Sequence, residues 1–561
     1  MARIDSKVIF VTTSPRTPAK MVPEIALLSE HFTGQVWDKT TQVAFMECLR
    51  DENFFNGNGA NDPAFSARDR INRAPKALGF VKLSPTIKLT PAGQDLISSK
   101  RKEDIFLRQL LKFQVPSPFH TPNPESANFW VKPYLELFRL IRHFGSLKFD
   151  EVQLFGLQLV DYRDFEKIVQ KIEKFRTDKA IHSGSYKNFF GQYMDQELRK
   201  IYAYEISRGS TKTRESSDVS IRKFLKTKAQ NMRDYTDACF RYLRATGLVN
   251  ISHVGKSISI VSEKTEEVDF FLSTVDRNPC FIKDEYHYVE YLGSRSTPKL
   301  LFDDREYLIR KIHQEFPFFQ IPVSASTKRL KELFDDLIIE RREGIIHDQI
   351  TRIKDYREYE DIQNTFDNIV NGSIYDPSLM LEWNVWRAMT MLDGGNIVAN
   401  TKFDDFGKPM STAQGNVADI VCDYGKFGVI VEVTMATGQR QYEMEGEPVS
   451  RHLAKIKKAI NKPAYCLFIA PSINEACIAH FFALHKMNIS YYGGTSTIIP
   501  LSLEVFRKMV QDSYKAEYVP LPDQVKYLFE SSENIVKHCD SETDWYEQIN
   551  NVALNWLQPT V

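Results

Sequence analysis

The chain has 561 residues, a formal net charge of zero, 42% hydrophobic residues and 12% aromatic residues. That length leaves room for about three or four domains of about 150 residues, and the apolar content excludes global disorder. No stretch approaches about 18 consecutive apolar residues, so no membrane span is expected, and the opening MARIDSKVIFVTTS lacks the apolar core of a secretory signal. Seven cysteines, at 48, 239, 280, 422, 466, 477 and 539, are scattered without a CxxC pair. This favours a reduced cytoplasmic protein and argues against a zinc site.

The neutral total hides an asymmetry. Residues 1–250 hold 40 Lys+Arg against 28 Asp+Glu, a balance of +12, and the remainder holds 33 against 45, a balance of −12. A basic N-terminal half suits a polyanion such as nucleic acid; a dipolar surface without a partner is the alternative.

Residues 64–97 begin with a polar start at Ser66 and a helical stretch that stops at Gly79. FVKL and IKLT then alternate around the turn SPT, and Thr90 caps a second helix that opens with Pro91. Helix, two-stranded wing and helix is a winged-helix pattern. Arg68, Arg70, Arg73 and Lys76 cluster just before the wing and are candidate DNA contacts, since guanidinium groups fit guanine edges and phosphates. A solvated basic face is the alternative. The pattern recurs at 231–262, with Tyr235, Ala238, Cys239 and Tyr242 on one helix face, a stop at Gly247, and LVNIS and SISIVS flanking Gly255-Lys256. The preceding segment 208–233, polar and rich in Lys and Arg, reads as a mobile loop that orders on DNA or as a solvated insertion. Residues 284–370 are helix-rich and charged, with Leu330, Leu333, Phe334, Leu337 and Ile338 in a helical stripe, and read as a spacer.

After Asp376-Pro377 the pattern changes. A helix over 378–392 ends at Gly394-Gly395, and strands are expected at 396–399, 417–422, 427–433, 464–470 and 496–503. Helices are expected from Pro448, as a first helical residue, and at 474–487. The order helix–β–β–β–α–β–α–β is an α/β sandwich pattern. Within it, Asp419 lies on VADIV and Glu432 inside GVIVEVT. A Glu in an apolar strand is costly unless it is paired or binds a cation, and magnesium prefers oxygen ligands. If the two strands pair as a hairpin the carboxylates converge, with the Val433 carbonyl beside them. An Asp followed closely by Glu-x-Lys is the spacing of the PD-(D/E)xK nuclease core, but Thr434 stands at the lysine position. The alternative is a strand cap at Asp419 and a solvated Glu432. Glu382 lies on the helix before the pair. After it, Val449, Leu453, Ile456 and Ile460 form an apolar stripe beside Arg451, Lys455, Lys458 and Lys462, a basic stripe suited to a phosphate backbone. His452 lies between the stripes and could position water or move a proton.

SPRTPAKMVPE (14–24), AFSARDR (64–70), TPAG (90–93), DIFLRQLLKFQVPSPFH (104–120), RYLRATGLV (241–249), EWNVW (382–386), GNVADI (415–420), EVT (432–434), MEGEPVSRH (444–452), YCLFIAPSIN (465–474) and IIPLSL (498–503) occur in this order. With these pieces the chain resembles the AlwI-type type IIS restriction endonucleases, a group that includes the BstNBI-like site-specific nicking endonucleases. The resemblance implies an α/β multidomain protein: a DNA-recognition region over 1–283 with two winged-helix-like subdomains, a helical linker over 284–375, and a PD-(D/E)xK-like cleavage domain with a helical extension over 376–561. It implies binding of a short asymmetric double-stranded DNA sequence and Mg²⁺-dependent cleavage a few bases outside it, with Mn²⁺ able to substitute. The implied cleavage residues are Glu382, Asp419, Glu432, Glu445 and His452, with Asp419, Glu432 and the Val433 carbonyl on the metal. Arg16, Lys20, Arg68, Arg70, Arg73, Lys76, Arg451 and Lys455 are the DNA-binding candidates. The nicking members lack the same lysine, so Thr434 does not count against activity. Two-strand cutting would need dimerisation of the cleavage domain or a small nuclease subunit. A strand-specific nickase, the large subunit of a two-chain enzyme and a non-cleaving winged-helix regulator are the competing readings. A prokaryotic cytoplasmic location and a companion DNA methyltransferase in the same system go with the family.

Overall fold

The computed structural model of the protein describes residues 2–4, 6–52, 62–123 and 126–557, so the outer limits 1 and 561 of the expected domains lie outside the described residues. The chain divides into two compact units, Met1–Cys48 with Asn61–Asp336, and Leu49–Ala60 with Leu337–Val561. The stretch read as a spacer is helical, with helices Glu285–Gly293, Arg305–Glu315, Thr327–Lys354 and Tyr359–Val370, and the division falls inside the third. Both units mix helices and strands. Among the described residues no helix is long and apolar enough to cross a membrane. Among the described residues the seven cysteines form no disulfide.

In the first unit, helix α1 (Pro63–Ile71) starts earlier than the sequence suggested. Asp62, not Ser66, is its cap and accepts from the Phe65 N–H at 3.0 Å, with Pro63 at the first position. Gly79 has φ of +79°, and a Cβ there would lie 2.7 Å from the Leu292 backbone, so this close approach requires glycine. Strands β1 (Val81–Lys82) and β2 (Lys88–Leu89) form a short antiparallel hairpin. Helix α2 (Pro91–Ser98) follows, with the Thr90 hydroxyl accepting from the Gly93 N–H at 3.0 Å.

Further along run helix α3 (Pro133–Phe144), strand β3 (Ser146–Lys148) and helix α4 (Phe149–Leu154). After an insertion containing helices Phe165–Ile181 and Tyr186–Ile201 come helix α5 (Ile221–Arg244) and strands β4 (Val249–Ser252) and β5 (Ser257–Ile260). The three strands form an antiparallel sheet in the order β3-β5-β4, with Leu147 and Ile251 both opposite Ile258. The segment 208–233 is therefore not a loop throughout. From Ile221 it is helix, capped by Ser220 and carrying buried Phe224, Leu225 and Met232 on its inner side. Apolar residues at this spacing bury one face whatever the charge on the other.

The second unit contains a five-stranded sheet. Helix α6 (Pro377–Asp393) leads into strands β6 (Asn396–Ala399), β7 (Ile420–Asp423) and β8 (Gly428–Val433). Helix α7 (Gln439–Ala459), strand β9 (Ala464–Ala470), helix α8 (Glu475–Lys486) and strand β10 (Ile498–Ser502) follow. The sheet order is β10-β9-β8-β7-β6; β8, β9 and β10 are parallel, and β7 runs antiparallel to β8 and β6. Strand β9 is buried at all seven positions, as its unbroken apolar sequence requires of a strand covered on both faces. Three helices, Leu503–Lys515, Pro522–Ile535 and Glu542–Leu554, complete the unit. Two boundaries differ from the sequence reading. Residues 417–419 precede β7 rather than belonging to it. Pro448 lies inside α7, which begins at Gln439 after Gly438 with φ of +59°. A proline there removes one helical hydrogen bond, and nearby the Ser450 hydroxyl donates to the Gly446 carbonyl at 2.9 Å.

His485 on α8 is buried and its Nε2 accepts from the Ile498 N–H at 2.8 Å. Burial holds its pKa down at about 3. The unfolded chain therefore takes up a proton that the folded unit refuses. Stability is unaffected above pH 6.5 and falls as pH drops below it. For this one group the loss at pH 5 is about 2 kcal/mol. His485→Gln keeps a neutral acceptor, so the gap between its urea midpoint and that of the wild type is expected to move in the variant's favour between pH 7 and pH 5. A gap that stays constant over that range would contradict the assignment.

Candidate active site

The site is built on the ends of β7 and β8. Ile420 pairs with Val431, so Asp419, one residue before β7, stands opposite Glu432 on the same face. Asp419 is half-buried and its Oδ2 accepts from the Val433 N–H at 2.8 Å. Glu432 is 5% exposed. Val433, the last residue of β8, pairs with Ile469 of β9. Glu382 comes from the middle of α6 and is buried; its Oε1 accepts from the Ala413 N–H at 2.8 Å and from the Thr401 hydroxyl. Both partners lie in the segment between β6 and β7 and were not singled out in the sequence, where nothing local marks them.

Helix α7 supplies the other two groups. Because the helix begins at Gln439, Glu445 is helical rather than in a preceding loop, and His452 follows it seven residues later on the same face. The Thr434 hydroxyl lies near Glu445 and favours the charged form of its carboxyl. His452 Nδ1 lies 2.8 Å from Glu432 Oε1. With Glu432 ionised this nitrogen carries the proton, which leaves Nε2 as an acceptor. That Nε2 is buried and has no hydrogen-bond partner among the described residues.

The electrostatics follow from the crowding. Burial pushes the Glu432 carboxyl well up, and the neighbouring Glu445 and Glu382 add to it, opposed by Arg451. Burial likewise raises Asp419, with Glu382 and Glu432 next in effect. Glu445 is raised by burial, in part offset by the Thr434 hydroxyl. His452 is held down at about 4 by burial and then by the charges of Arg451 and Lys455, so it is neutral at pH 7. Like-charged buried groups are unfavourable without a compensating cation. Among the described residues no three His, Cys, Asp or Glu side chains close into a ready-made metal shell. The donor set nevertheless fits a hard divalent cation: carboxylate oxygens gathered without a lysine between them, beside a buried nitrogen that lacks a protein partner.

The expected DNA contacts are placed less uniformly. Arg16 lies 3.2 Å from Asp234, and Lys20 is exposed beside Glu24. Arg68 donates to Gln42 at 2.8 Å, Arg70 pairs with the buried Glu24, and Arg73 pairs with Asp69 at 2.5 Å. Lys76 lies 4.4 Å from the centre of the Phe119 ring and lines a cavity of about 50 Å³ with Glu285. Arg451 is 5% exposed and binds Glu447 at 3.1 Å and Asn416 Oδ1 at 3.2 Å. Lys455 also binds Asn416 Oδ1. These two cations hold the turn at Asn416, whose φ is +74°, three residues before Asp419.

A profile of the AlwI restriction endonuclease family matches residues 76–509. The chain belongs to the AlwI restriction endonuclease family. It is thus a DNA-binding hydrolase, a type II site-specific deoxyribonuclease. Among solved structures it is similar to the small subunit (R.BspD6I2) of the heterodimeric restriction endonuclease R.BspD6I, at 27% identity and a TM-score of 0.29, over 36% of this chain and 98% of that one. It is also similar to the restriction endonuclease FokI, at 12% identity and a TM-score of 0.22, over 83% of this chain and 82% of that one. A comparison with curated proteins gave no match.

Proposed function

We propose that the protein is a type IIS enzyme, which binds a short asymmetric DNA sequence through residues 1–283 and hydrolyses a phosphodiester a few bases outside it with a PD-(D/E)xK domain over 376–561, joined by a linker over 284–375. The observation that carries this reading is the placing of Asp419 opposite Glu432, with Glu382 held by the segment between β6 and β7 and His452 against Glu432. The mixed sheet, with an antiparallel β7–β8 pair followed by a parallel β9, supports the nuclease assignment. The order β3-β5-β4 with α5 immediately before β4 supports a winged-helix subdomain, as does the β1–β2 wing after α1.

Asp419 and Glu432, with the Val433 carbonyl beside them, would hold Mg²⁺ or Mn²⁺, which when bound stabilises charge on the phosphate and acidifies a water. Glu382 and Glu445 orient around that pair through Ala413, Thr401 and Thr434. His452 holds a proton at Nδ1 against Glu432 and offers Nε2 to the proton of the attacking water. Thr434 occupies the lysine position and acts by orienting Glu445 rather than as a charge.

One such site engages one scissile phosphate, which favours as second reading a strand-specific nickase or the large subunit of a two-chain enzyme. A second copy of the cleavage domain or a small nuclease subunit would cut the other strand. A companion methyltransferase in the prokaryotic cytoplasm would protect the host. Digestion of a supercoiled plasmid with one recognition site, with Mg²⁺, is the test. Linear product without added protein is expected if the domain dimerises, and open-circle product alone makes the enzyme a nickase. Intact plasmid under saturating binding would sink both readings and leave a non-cleaving regulator.

A further inference from the structure

Apart from the exposed Lys20, the cations expected from the sequence to face DNA are engaged within the protein, whereas a second set is not. On α5, Arg222, Lys226 and Arg233 are exposed, and among the described residues none has a carboxylate partner. With Gln230, also exposed, they fall at successive offsets of four, four and three residues, within an arc of about 80° on the helix. No acidic residue occurs between Ser220 and Arg233. Gln230 Nε2 donates to Asp234 Oδ1 at 3.2 Å, which leaves its amide oxygen and second proton available.

The two halves of α5 differ. The C-terminal half is fixed in the core. The Phe240 ring lies 5.3 Å from that of Phe149, Tyr242 stacks on Tyr134 at 6.0 Å, and the Tyr242 hydroxyl donates to the Pro15 carbonyl at 2.9 Å. The N-terminal half rests on the core by Phe224, Leu225 and Met232 and presents its basic arc outward. Arg222 to Arg233 spans about 16 Å along the axis, the length of about five base pairs. The connection from β4 to β5 beyond the helix carries Val254, 62% exposed, and Lys256, whose φ is +45°.

We infer that the Arg222–Lys226–Gln230–Arg233 face of α5 enters the major groove and determines the sequence that is cut, with Val254 and Lys256 at the flanking backbone. This rests on the endonuclease reading above and assigns its specificity to particular side chains. A rigid helix is needed to read base edges, and this one is clamped at one end, capped by the Ser220 hydroxyl at the other, and displays two arginines and a glutamine, the side chains that pair bidentately with guanine and adenine. The 66–76 cluster, with its cations tied to Gln42, Glu24, Asp69 and Phe119, is left to support the fold of its own subdomain.

The test selects duplexes from a randomised pool by binding to the full chain without Mg²⁺, so that recognition is measured apart from cleavage. The triple variant Arg222→Ala/Lys226→Ala/Arg233→Ala is expected to lose at least about 100-fold in affinity for the selected sequence, given about tenfold or more for each base contact. It should lose much less on random duplex and melt at the wild-type temperature. Arg222→Lys, which keeps the charge and the fold, should bind random duplex as wild type and relax the preference at one position; Gln230→Ala should relax another. Equal losses on selected and random duplex, an unchanged selected sequence in the variants, or no sequence selected by the wild type would each overturn the inference. A sequence selected by a wild type that then fails to cut it with Mg²⁺ would overturn the endonuclease reading and leave this one standing.

Discussion

Asp419→Asn is expected to abolish cleavage while leaving the protein more stable, not less. Asparagine keeps an oxygen that can accept from the Val433 N–H, which Asp419 holds at 2.8 Å. It removes a charge that Glu382 and Glu432 both oppose. Relief of that repulsion should raise the melting temperature in the absence of divalent metal. With Asp419 in its proposed role as a metal ligand, cleavage depends on the charge itself, and its loss forfeits several kcal/mol of charge stabilisation at the phosphate, a rate factor of at least about 10³. Glu432→Gln should behave alike in cleavage, and the double variant should be little worse than either single one, since the pair acts as a unit. Binding to the recognition sequence should be unchanged in all three. The experiment is a plasmid cleavage time course alongside thermal melting and gel-shift binding. A strand-capping Asp419 would give the reverse pattern: a lowered melting temperature with cleavage retained in the surviving folded enzyme.

Asp419 and Glu432 were visible in the sequence because each interrupts an apolar run, and the register Ile420–Val431 follows from a tight connection between two such runs. The strand AYCLFIA and the ends of α6 were visible for similar reasons: an unbroken apolar run, and the punctuation of Asp376-Pro377 and Gly394. The partners of Glu382 were not legible. Thr401 and Ala413 lie 19 and 31 residues away along the chain, and only the tertiary fold brings them to it. Pro448 misled because proline at a first helical position is common, while a helix that continues through proline needs local compensation that no sequence pattern announces. The first half of α5 was hidden by its own surface: five cations in thirteen residues look like a loop unless the inner Phe224, Leu225 and Met232 are followed. The basic residues at 68–76 were legible as charge but not as contacts, because Glu24, Gln42 and Phe119 come from distant segments.

The second large effect is on stability. Lys112 is fully buried, and its ammonium donates to the carbonyls of Tyr291, Leu292 and Ser294 at 3.2, 2.7 and 2.8 Å. These carbonyls lie at the C-terminal end of the helix Glu285–Gly293, where the last turn has no helical donors of its own. Gln109, one turn earlier than Lys112, shares the Leu292 carbonyl at 2.7 Å and also reaches Leu78, next to Gly79 and the β1–β2 hairpin. Burial, with the charge of Arg108 next, drives the Lys112 pKa well below its usual value. Such a position is costly to fill and still more costly to empty. Lys112→Met keeps the apolar stem and removes every donor, so the helix end is left with buried carbonyls unpaired. The expected loss is about 3–5 kcal/mol, seen as a fall of about 10 °C in the melting of the first unit. Because Gln109 and Lys112 bond the same carbonyl, Gln109→Leu combined with Lys112→Met should cost less than the two separately. A methionine variant that melts within about 1 kcal/mol of the wild type would mean that water reaches these carbonyls and that the helix end is not held by Lys112. If the loss is found, this ammonium, rather than any apolar contact alone, holds Leu292 against Gly79, and with it the start of the β1–β2 hairpin.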